Sequence, residues 1–509
     1  MLAKVQSCGI IGLDGFPVWV EVDSSSGLPM WGLVGLPDAA VKESRERVRA
    51  AITNSGFSYP MSRITVNLAP ADVKKEGPLY DLAIAVGLLE VSGQLRPRNA
   101  ENSAMLGELS LDGNIRGVRG ILSMVIDAKE RGLRSVILPA ENAEEAACIE
   151  GIDILPAASL KEVVDHISGK KRIAPAPHTE FAKSTYHAGG ADFKYIKGQE
   201  FAKRAVEIAV AGGHNLLFIG PPGSGKTMLA KAIPSILPSL TFGEALEVTK
   251  IHSVVGELRG GIISARPFRS PHHSASTVAL TGGGSKALPG EVSLAHNGVL
   301  FLDELPEFKR DALEALRQPM EDGKISIARA NAKLSYPADF MMVASMNPCP
   351  CGNYGDSSGT CRCTKSQIQR YLSRISGPLL NRIDLHVEVA RPQYDELSTE
   401  AAAEDSRTIR ERIEAARAIQ AARYANSGFH TNSQIAGEVF DRCCALDTDA
   451  QDMLHMAFNA MNMSARTYKR VILVARTIAD MDETEKIGAD HIAEAIQYRS
   501  LDRKYWGET

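Results

Sequence analysis

A glycine-rich run between two apolar stretches is the part of this chain with the clearest chemical meaning. The stretch 215–219 precedes it and 228–233 follows it. Strand, glycine loop and helix in this order form a phosphate-binding loop, because backbone N–H groups and a helix N-terminus attract a polyphosphate. The pattern predicts binding of a nucleoside triphosphate. The run consists of Gly220, Pro221, Pro222, Gly223, Ser224, Gly225, Lys226 and Thr227.

Two further apolar runs end in polar side chains that suit hydrolysis. The Lys226 ammonium would reach the β- and γ-phosphates, and the Thr227 hydroxyl would bind Mg²⁺. Residues 299–302 are apolar and end in Asp303 and Glu304. Parallel strands place their chemistry at their carboxyl ends. We therefore expect Asp303 to hold Mg²⁺ through water and Glu304 to polarise the attacking water.

A third run, 340–346, ends in Asn347. An amide at this position would orient the same water near the γ-phosphate. Three strands that end in these groups predict a site that hydrolyses the nucleotide, with ATP and Mg²⁺ as its cofactors, rather than one that only binds it.

Four cysteines form two Cys-x-Cys pairs directly after this strand. The segment between the pairs, 352–360, is small and polar. Four thiolates so arranged predict a closed tetrahedral zinc site with a structural role, set apart from the phosphate loop. A redox switch and ordinary reduced cysteines are the alternatives. The four are Cys349, Cys351, Cys361 and Cys363.

Composition limits the class of protein. The chain has 509 residues, 44% hydrophobic and 23% charged, with a formal net charge of −4. This length indicates roughly three domains. The charge excludes a uniformly basic surface, so polyanion binding would need a local basic lining. The sequence has neither a signal segment nor an apolar run of membrane-spanning length. We expect a cytoplasmic protein without membrane contact, in which the eight cysteines are not a disulfide framework.

The composition also changes along the chain. Residues 1–168 alternate strand-like runs with amphipathic stretches, for example helices predicted at 38–55 and 81–90. Residues 169–195 are rich in Lys, Pro, His and Gly and indicate a linker. Residues 196–391 carry the α/β nucleotide-binding pattern, and 392–509 are helical in pattern. The fold class predicted is α/β.

The segment 197–476 resembles the AAA+ ATPases, in particular their magnesium-chelatase-like branch. The motifs that carry the resemblance are RPFRSPHHSAS at 266–276, PGEVSLAHNG at 289–298 and SGPLLNRID at 376–384. Together with the N-terminal segment, the whole chain resembles the ComM/YifB family. The resemblance implies an αβα P-loop core followed by a helical lid domain.

The resemblance also assigns roles to two arginines. Arg382 falls where AAA+ proteins carry the arginine finger that stabilises charge at a neighbouring subunit's γ-phosphate. Arg466 falls where the sensor arginine of the lid lies. An arginine supplied in trans implies a homo-oligomeric ring, most simply a hexamer.

Residues 1–168 resemble the S5-type proteolytic domain of Lon. Leu79 stands at the position of the serine nucleophile and Leu122 at that of the catalytic lysine. Because a nucleophile needs a hydroxyl or thiol and a base, we predict no peptidase activity. Ser123 is adjacent but has no recognisable partner. We expect a module that binds a ligand or organises the ring.

The resemblance further implies two hairpins, at about 256–289 and 324–338, that point into the pore of a ring. Both are rich in basic residues, which predicts sequence-independent contact with DNA phosphates. Phe268 and Tyr336 are the aromatic candidates for base stacking. Loop charges that contact no ligand are the alternative. The basic residues are Arg259, Arg266, Arg269, His272, His273, Lys286, Lys324, Arg329 and Lys333.

Two main functions are consistent with these features. The first, implied by the ComM/YifB resemblance, is a ring-forming ATP-dependent DNA motor, a helicase or branch-migration enzyme that acts in natural transformation and recombination. The second is a chelatase-type ATPase subunit that drives metal insertion through a partner. A chaperone-like AAA+ regulator is a third reading. No motif in the sequence identifies a protein partner.

Overall fold

The structure, a computed structural model, describes residues 1–96, 102–182, 192–258, 260–284, 286–328, 333–355, 359–392, 404–425 and 427–506. The chain forms two compact units. The N-terminal unit consists of Met1–Ala182 and Phe242–Ser264. The C-terminal unit consists of Lys183–Thr241 and Ala265–Thr509. The segment Phe242–Ser264, which interrupts the C-terminal unit in sequence, therefore belongs to the N-terminal one.

The N-terminal unit is built on a mixed sheet of seven strands in the order β3-β4-β2-β1-β5-β8-β9, and a separate two-stranded sheet joins β6 to β7. In β2, Val18, Val20 and Val22 are buried and alternate with more exposed residues, as expected for a strand with one face against the core. The strands are β1 Leu2–Ile11, β2 Asp14–Ser25, β3 Met30–Val34, β4 Arg63–Ala69, β5 Ser103–Met105, β6 Glu108–Leu109, β7 Ile115–Arg116, β8 Ser135–Pro139 and β9 Asp153–Ala157.

Helices cover this sheet. The helix predicted at 81–90 is present and is buried on nearly every side, which its apolar sequence dictates. The helix predicted at 38–55 is two helices that meet at Glu43. The helices of this unit outside Phe242–Ser264 are α1 Ala39–Lys42, α2 Ser44–Asn54, α3 Asp81–Val91, α4 Ile121–Glu130, α5 Ala143–Ala146 and α6 Leu160–Ile167.

The C-terminal unit contains a five-stranded parallel sheet in the order β11-β12-β15-β10-β16. The three strands predicted to end in the phosphate loop, the paired carboxylates and Asn347 are neighbours, so their carboxyl ends meet at one edge. The α/β fold class predicted from the sequence is confirmed. The strands are β10 Leu216–Ile219, β11 Phe268–Arg269, β12 Val299–Leu302, β13 Lys324–Ala328, β14 Lys333–Pro337, β15 Met341–Met346 and β16 Leu385–Glu388.

The hairpin predicted at 324–338 is present. Strands β13 and β14 pair antiparallel, from Lys324 opposite Pro337 to Ala328 opposite Lys333; this pair is called the β13–β14 hairpin below. Within the range of the other predicted hairpin, 256–289, the described residues form an isolated antiparallel bridge between Gly283 and Leu288 and no antiparallel pair of named strands. There, Phe268–Arg269 pairs in parallel with β12 at the edge of the main sheet, because Val299 and Leu300 offer it a free edge.

Beyond residue 392 the described part of the chain contains helices and no strand, as the sequence predicts. In the described residues, no helix is both long and apolar enough to cross a membrane. The helices from residue 200 on are α7 Glu200–Gly212, α8 Lys226–Ala232, α9 Phe242–Val255 (the N-terminal unit's), α10 Thr277–Thr281, α11 Glu291–Leu294, α12 Arg310–Ala315, α13 Pro319–Asp322, α14 Lys365–Leu372, α15 Gly377–Leu380, α16 Ser406–Tyr424, α17 Gly437–Cys443, α18 Thr448–Ala460, α19 Ala465–Met481, α20 Ala489–Gln497 and α21 Ser500–Trp506.

Candidate nucleotide and metal sites

The phosphate loop has the conformation that its glycines allow. Gly223 and Gly225 have φ of 77° and 93°, in the left-handed region that residues with a Cβ atom rarely enter. A Cβ atom on Gly220 would lie 2.1 Å from the carbonyl oxygen of Val389. The loop therefore needs glycine at three positions, and it ends where α8 begins at Lys226.

Lys226 spans the inside of this loop. Its Nζ donates to the carbonyl oxygens of Gly220 at 2.7 Å and Pro221 at 2.8 Å, and to Asn347 Oδ1 at 3.3 Å. Burial lowers the pKa of the Lys226 ammonium to about 8, although the nearby Asp303 carboxylate opposes the shift. A buried cation ringed by weak acceptors fits a site that receives a polyanion, whose oxygens would replace the carbonyl partners.

Asp303 is held on both of its oxygens. Thr227 Oγ1 donates to Asp303 Oδ2 at 2.9 Å, and Ser345 Oγ donates to Asp303 Oδ1. The predicted Mg²⁺ pair, Thr227 and Asp303, is therefore in direct contact, a donor set of hydroxyl and carboxylate oxygens that suits Mg²⁺. Sequence reasoning missed Ser345. The signal was a single hydroxyl within the apolar β15, two residues before Asn347.

Glu304 stands apart from this network. Its backbone has φ of 55°, and its side chain is 57% exposed. Its carboxylate faces His273, with Glu304 Oε2 3.3 Å from His273 Nδ1. The edge of the sheet thus brings Lys226, Asp303 and Asn347 together and leaves the predicted water-polarising carboxylate beside a histidine.

Arg382 and Arg466 converge on one carboxylate. Arg382 is 5% exposed; it forms an ion pair with Glu321 and donates to the carbonyl oxygen of Pro378 at 2.7 Å. Arg466 donates to Glu321 Oε1 at 3.3 Å. The Arg382 guanidinium is the main cause that lowers the pKa of Glu321. Both arginines are therefore directed at Glu321 and not at their own chain's phosphate loop.

The four predicted cysteines form a cluster. Their sulfur atoms all lie within 4.8 Å of one another. Cys349 Sγ lies 3.4 Å from Cys351 Sγ and 3.8 Å from Cys361 Sγ. A tetrahedral zinc site with Zn–S bonds of about 2.3 Å separates its sulfurs by about 3.8 Å. The donor set and its spacing therefore fit zinc.

The cysteine loop touches the phosphate loop, contrary to the expected separation. A Cβ atom on Gly352 would lie 2.5 Å from Cδ and 2.7 Å from Cγ of Pro222. Gly352 also has φ of 82°, so this position suits glycine on both counts. The reason for the contact is local, since β15 and β10 are paired and the segments after them leave the sheet side by side.

The N-terminal unit has no Ser–Lys dyad at the Lon-like positions. Leu79 and Leu122 are buried at 6% and 0% exposure, and Ser123 Oγ is buried without a hydrogen-bond partner among the described residues. Two buried carboxylates lie near these positions: Asp81 is paired with Arg47 Nε at 2.6 Å and burial raises its pKa to about 6, and Glu145 accepts from the Leu122 N–H at 3.2 Å.

Several residues predicted to contact DNA have internal partners instead. Arg266 donates to the carbonyl oxygens of Pro238 and Asn297, each at 2.8 Å. Arg269 binds Glu291 at 2.6 Å. The aromatic candidates are also internal, since Tyr336 is 1% exposed and Phe268 stacks on Phe301 with ring centroids 6.0 Å apart. Arg259 and Arg329 lie outside the described residues, as does the Lys333 side chain.

Comparison with known proteins accounts for nearly the whole chain. Residues 192–397 match the family described as magnesium chelatase, subunit ChlI. Residues 20–142 match subunit ChlI of Mg-chelatase, and 403–499 match its C-terminal part. The N-terminal part is also similar to Lon protease 2 of Bacillus subtilis, with 30% identity over 25% of this chain and 22% of that protein.

Several relatives match over nearly the whole chain, among them the following two. YifB of Escherichia coli is 45% identical over 99% of this chain and 98% of its own length. Competence protein ComM of Haemophilus influenzae is 44% identical over the same shares. With the parallel-stranded core, the glycine loop and the helical C-terminal region in the same order as the matched segments, the chain belongs to the YifB/ComM family of proteins with magnesium-chelatase-type AAA+ domains.

Proposed function

We propose that the protein is an ATP hydrolase of the AAA+ type that works as a ring-shaped DNA motor during recombination of incoming DNA. The observation that carries the proposal is the 44% identity to a competence protein along 98% of its length. A competence protein serves the uptake or integration of DNA, and a chain that shares its full length is expected to share that task. Eight cysteines without a disulfide suit a reducing compartment, and we assign the work to the cytoplasm.

The proposed hydrolysis step uses the residues at the carboxyl ends of β10, β12 and β15. ATP would enter against the loop amides, and Lys226 would turn from the loop carbonyls to the β- and γ-phosphates. Thr227 and Asp303 would hold Mg²⁺, which neutralises phosphate charge. Asn347 would orient the attacking water, and Glu304 would accept its proton, so that each strand end supplies one function.

The ring assembly rests on Arg382. Its guanidinium, paired with Glu321, would exchange that carboxylate for the γ-phosphate of a neighbouring subunit, and Arg466 shares the same partner. A site completed only by a neighbour requires an oligomer, and a hexameric ring is the arrangement we propose.

DNA contact would fall to the β13–β14 hairpin and the segment before α11. Lys324 and Lys286 are exposed and form no ion pair with another described residue. Because Phe268 stacks on Phe301 and Tyr336 is buried, we favour contact with the phosphate backbone of DNA over stacking on its bases. Six copies of a few cations give sequence-independent, salt-dependent binding.

Zinc is proposed for the four-cysteine cluster. A site closed by four thiolates has no position for water and therefore stabilises structure. Purified protein should contain about one zinc per chain with sulfur-only coordination and Zn–S distances near 2.3 Å. X-ray absorption that finds oxygen or nitrogen ligands, or elemental analysis that finds no metal, contradicts this assignment.

The decisive test measures ATP turnover with no DNA, single-stranded DNA, duplex and a forked duplex, with Glu304→Gln as the inactive control. A DNA motor is expected to turn over faster with at least one of these and to unwind or migrate a branched substrate. A chelatase-type subunit, which the family matches also favour, would show a rate indifferent to DNA.

A further inference from the structure

Helix α9 follows the phosphate loop in sequence but belongs to the other unit. Helix α8, Lys226–Ala232, carries two residues of the nucleotide site, and the stretch 233–241 leads from it into α9. Phe242–Ser264, called the α9 segment below, is part of the N-terminal unit, and the chain then returns to the C-terminal unit, where β11 and β12 follow. Both ends of the α9 segment are therefore joined covalently to elements that carry or adjoin the nucleotide site.

Arg266 ties together the chain that leaves the C-terminal unit and the chain that returns to it. Its Nε donates to the carbonyl oxygen of Pro238 and its Nη1 to that of Asn297, each at 2.8 Å. Pro238 lies in the stretch between α8 and α9, and Asn297 lies shortly before β12, which is followed by Asp303. Hydrogen bonds from a charged donor are stronger than neutral ones, so a shift of α8 reaches both ends of the α9 segment together.

Within the N-terminal unit, Ser253 of α9 is hydrogen-bonded on two sides. Its Oγ donates to Glu145 Oε1 and accepts the N–H of Gly120 at 3.0 Å. Glu145 Oε1 also accepts the N–H of Leu122 at 3.2 Å. These four residues, called the α9 anchor below, are all buried. Since Leu122 stands at the position of the catalytic lysine in Lon, α9 is anchored where Lon carries out its chemistry.

The contacts of the α9 anchor make it sensitive to a small displacement of the helix. Glu145 is 6% exposed, burial raises the pKa of its carboxyl group, and its second oxygen accepts from Asn142 at 3.3 Å. A buried carboxylate that loses a donor keeps its desolvation cost without compensation. Because the Gly120 and Leu122 amides are bonded in the anchor, movement of α9 would break their hydrogen bonds and open them to exchange with solvent.

We propose that α9 couples the nucleotide site to the N-terminal unit, so that nucleotide binding at the phosphate loop loosens the α9 anchor. The inference rests on the proposed binding of ATP and adds a nucleotide-dependent state of the N-terminal unit. Coupling between two sites is reciprocal, so loosening the anchor raises the affinity for nucleotide by the same factor. A partner that holds the anchor closed would accordingly weaken ATP binding.

Hydrogen exchange in the full-length protein measures the state of the α9 anchor. With Mg²⁺ and saturating adenylyl imidodiphosphate, a non-hydrolysable ATP analogue, the amides of Gly120 and Leu122 are expected to exchange about fivefold faster, a coupling at the low end of the usual range. The amide of Ile263 is the internal control and should keep its rate, because it donates to Thr249 Oγ1 at 3.0 Å within the α9 segment.

Two variants separate the anchor from the helix that carries it. Ser253→Ala removes the hydroxyl at the centre of the anchor, and its affinity for the analogue should rise about fivefold by reciprocity. Thr249→Val is the matched control with the affinity of the parent, because Thr249 is also buried and its hydroxyl bonds Ala245 and Ile263 inside the α9 segment. Where Ser253→Ala fails to fold, Glu145→Gln weakens the same bonds at nearly constant volume and should shift the affinity in the same direction.

Arg266→Lys tests how the shift is carried between α8 and α9. A lysine keeps the positive charge but lacks the planar fork that bonds two carbonyl oxygens at once. Binding of the analogue should persist, and the faster exchange at Gly120 and Leu122 should be lost. Faster exchange that persists in this variant overturns the role assigned to Arg266.

Other results overturn the coupling itself. Analogue binding that leaves the exchange of both amides unchanged does so while the proposed function stands. An unaltered affinity in a folded Ser253→Ala has the same meaning, and so has an equal rise in Thr249→Val, which would indicate a general loosening of α9. The proposed function fails in a different way: the analogue would not bind the unaltered protein, or would bind Lys226→Ala equally well, and the inference would fall with it.

Discussion

At the scale of single residues, the burial of Lys226 has a measurable effect on nucleotide affinity. Its folded-state pKa lies at about 8, below the ordinary value of 10.5. A polyphosphate binds the charged form, so the free protein must take up a proton before binding above that pH. We expect affinity for an ATP analogue to be constant below pH 8 and to weaken as pH rises past it.

Calorimetric titration between pH 6.5 and 9.5 measures this affinity, about tenfold weaker per pH unit once the lysine is neutral. Lys226→Arg stays charged throughout and serves as the control if it retains binding. An affinity that is flat up to pH 9.5 would show that the ammonium is already charged in the free protein.

Substitutions of Lys226 and Glu304 should affect different steps of the reaction. Lys226→Ala removes a ground-state contact with the phosphates and should abolish nucleotide binding. Glu304→Gln keeps the volume of the side chain and removes only the proton acceptor, so binding should persist while turnover stops. Fluorescent-nucleotide binding and phosphate release measure the two effects. Equal loss of binding in both variants contradicts the assignment of β12.

At the scale of elements, the contact between the cysteine loop and the phosphate loop predicts that loss of the metal also weakens ATP binding. Cys361→Ser should release the metal and, through Gly352 against Pro222, weaken ATP binding as well. Gly352→Ala is the sharper variant, since it keeps all four thiols and places a methyl group into Pro222. We expect a normal zinc content and a KM for ATP raised by about tenfold, for a strain near 1.4 kcal/mol.

Unchanged KM in Gly352→Ala, together with a thermal midpoint within a degree or so of the parent, would mean that the two loops move independently. Gly359→Ala offers the comparison, because a Cβ atom there meets no neighbouring atom within 4 Å although its φ of 63° carries the same backbone cost.

The elements whose pattern is local could be read from the sequence. Apolar runs of four to six residues followed by Asp303 or Asn347 gave β12 and β15, because buried parallel strands need little else. The site residues on those strands followed from them. Side-chain contacts between segments distant in sequence could not be predicted from the sequence, because tertiary packing decides them. The sequence shows that Arg269 is basic, but only the fold shows that Glu291 lies beside it and pairs with it.

The same limit explains why the sequence did not predict that His273 lies beside Glu304 or that Phe268–Arg269 joins the main sheet. A His-His pair in a basic segment is typical of polyanion binding, and nothing local indicates that one ring faces Glu304. Phe268–Arg269 is too short to show a strand period, so its parallel pairing with β12 depends on the edge available to it. Strand partners distant in sequence are decided by topology and not by propensity.

At the scale of the whole molecule, the arginine pairing predicts complementation between inactive chains. Arg382→Ala should bind nucleotide and lack turnover as an assembly. When it is mixed with Glu304→Gln, some interfaces would join an intact Glu304 to an intact Arg382, and partial turnover should return. Steady-state rates across mixing ratios measure the recovery. Co-assembled rings that stay inactive at every ratio would count against a site shared between subunits.

The discontinuity of the N-terminal unit bears on how the chain is made. Helix α9 lies in the segment Phe242–Ser264, and Ser253 Oγ accepts the Gly120 N–H at 3.0 Å within that unit. A ribosome releases Met1–Ala182 before α9 has been synthesised, so the first unit to emerge lacks one of its own helices until the phosphate loop is also outside. The N-terminal unit can therefore complete its folding only after Ser264 has emerged, when much of the C-terminal unit is still to be synthesised. A chain cut after residue 182 would leave Leu246 and Ile262, which pack on the N-terminal core, facing water in the remaining piece.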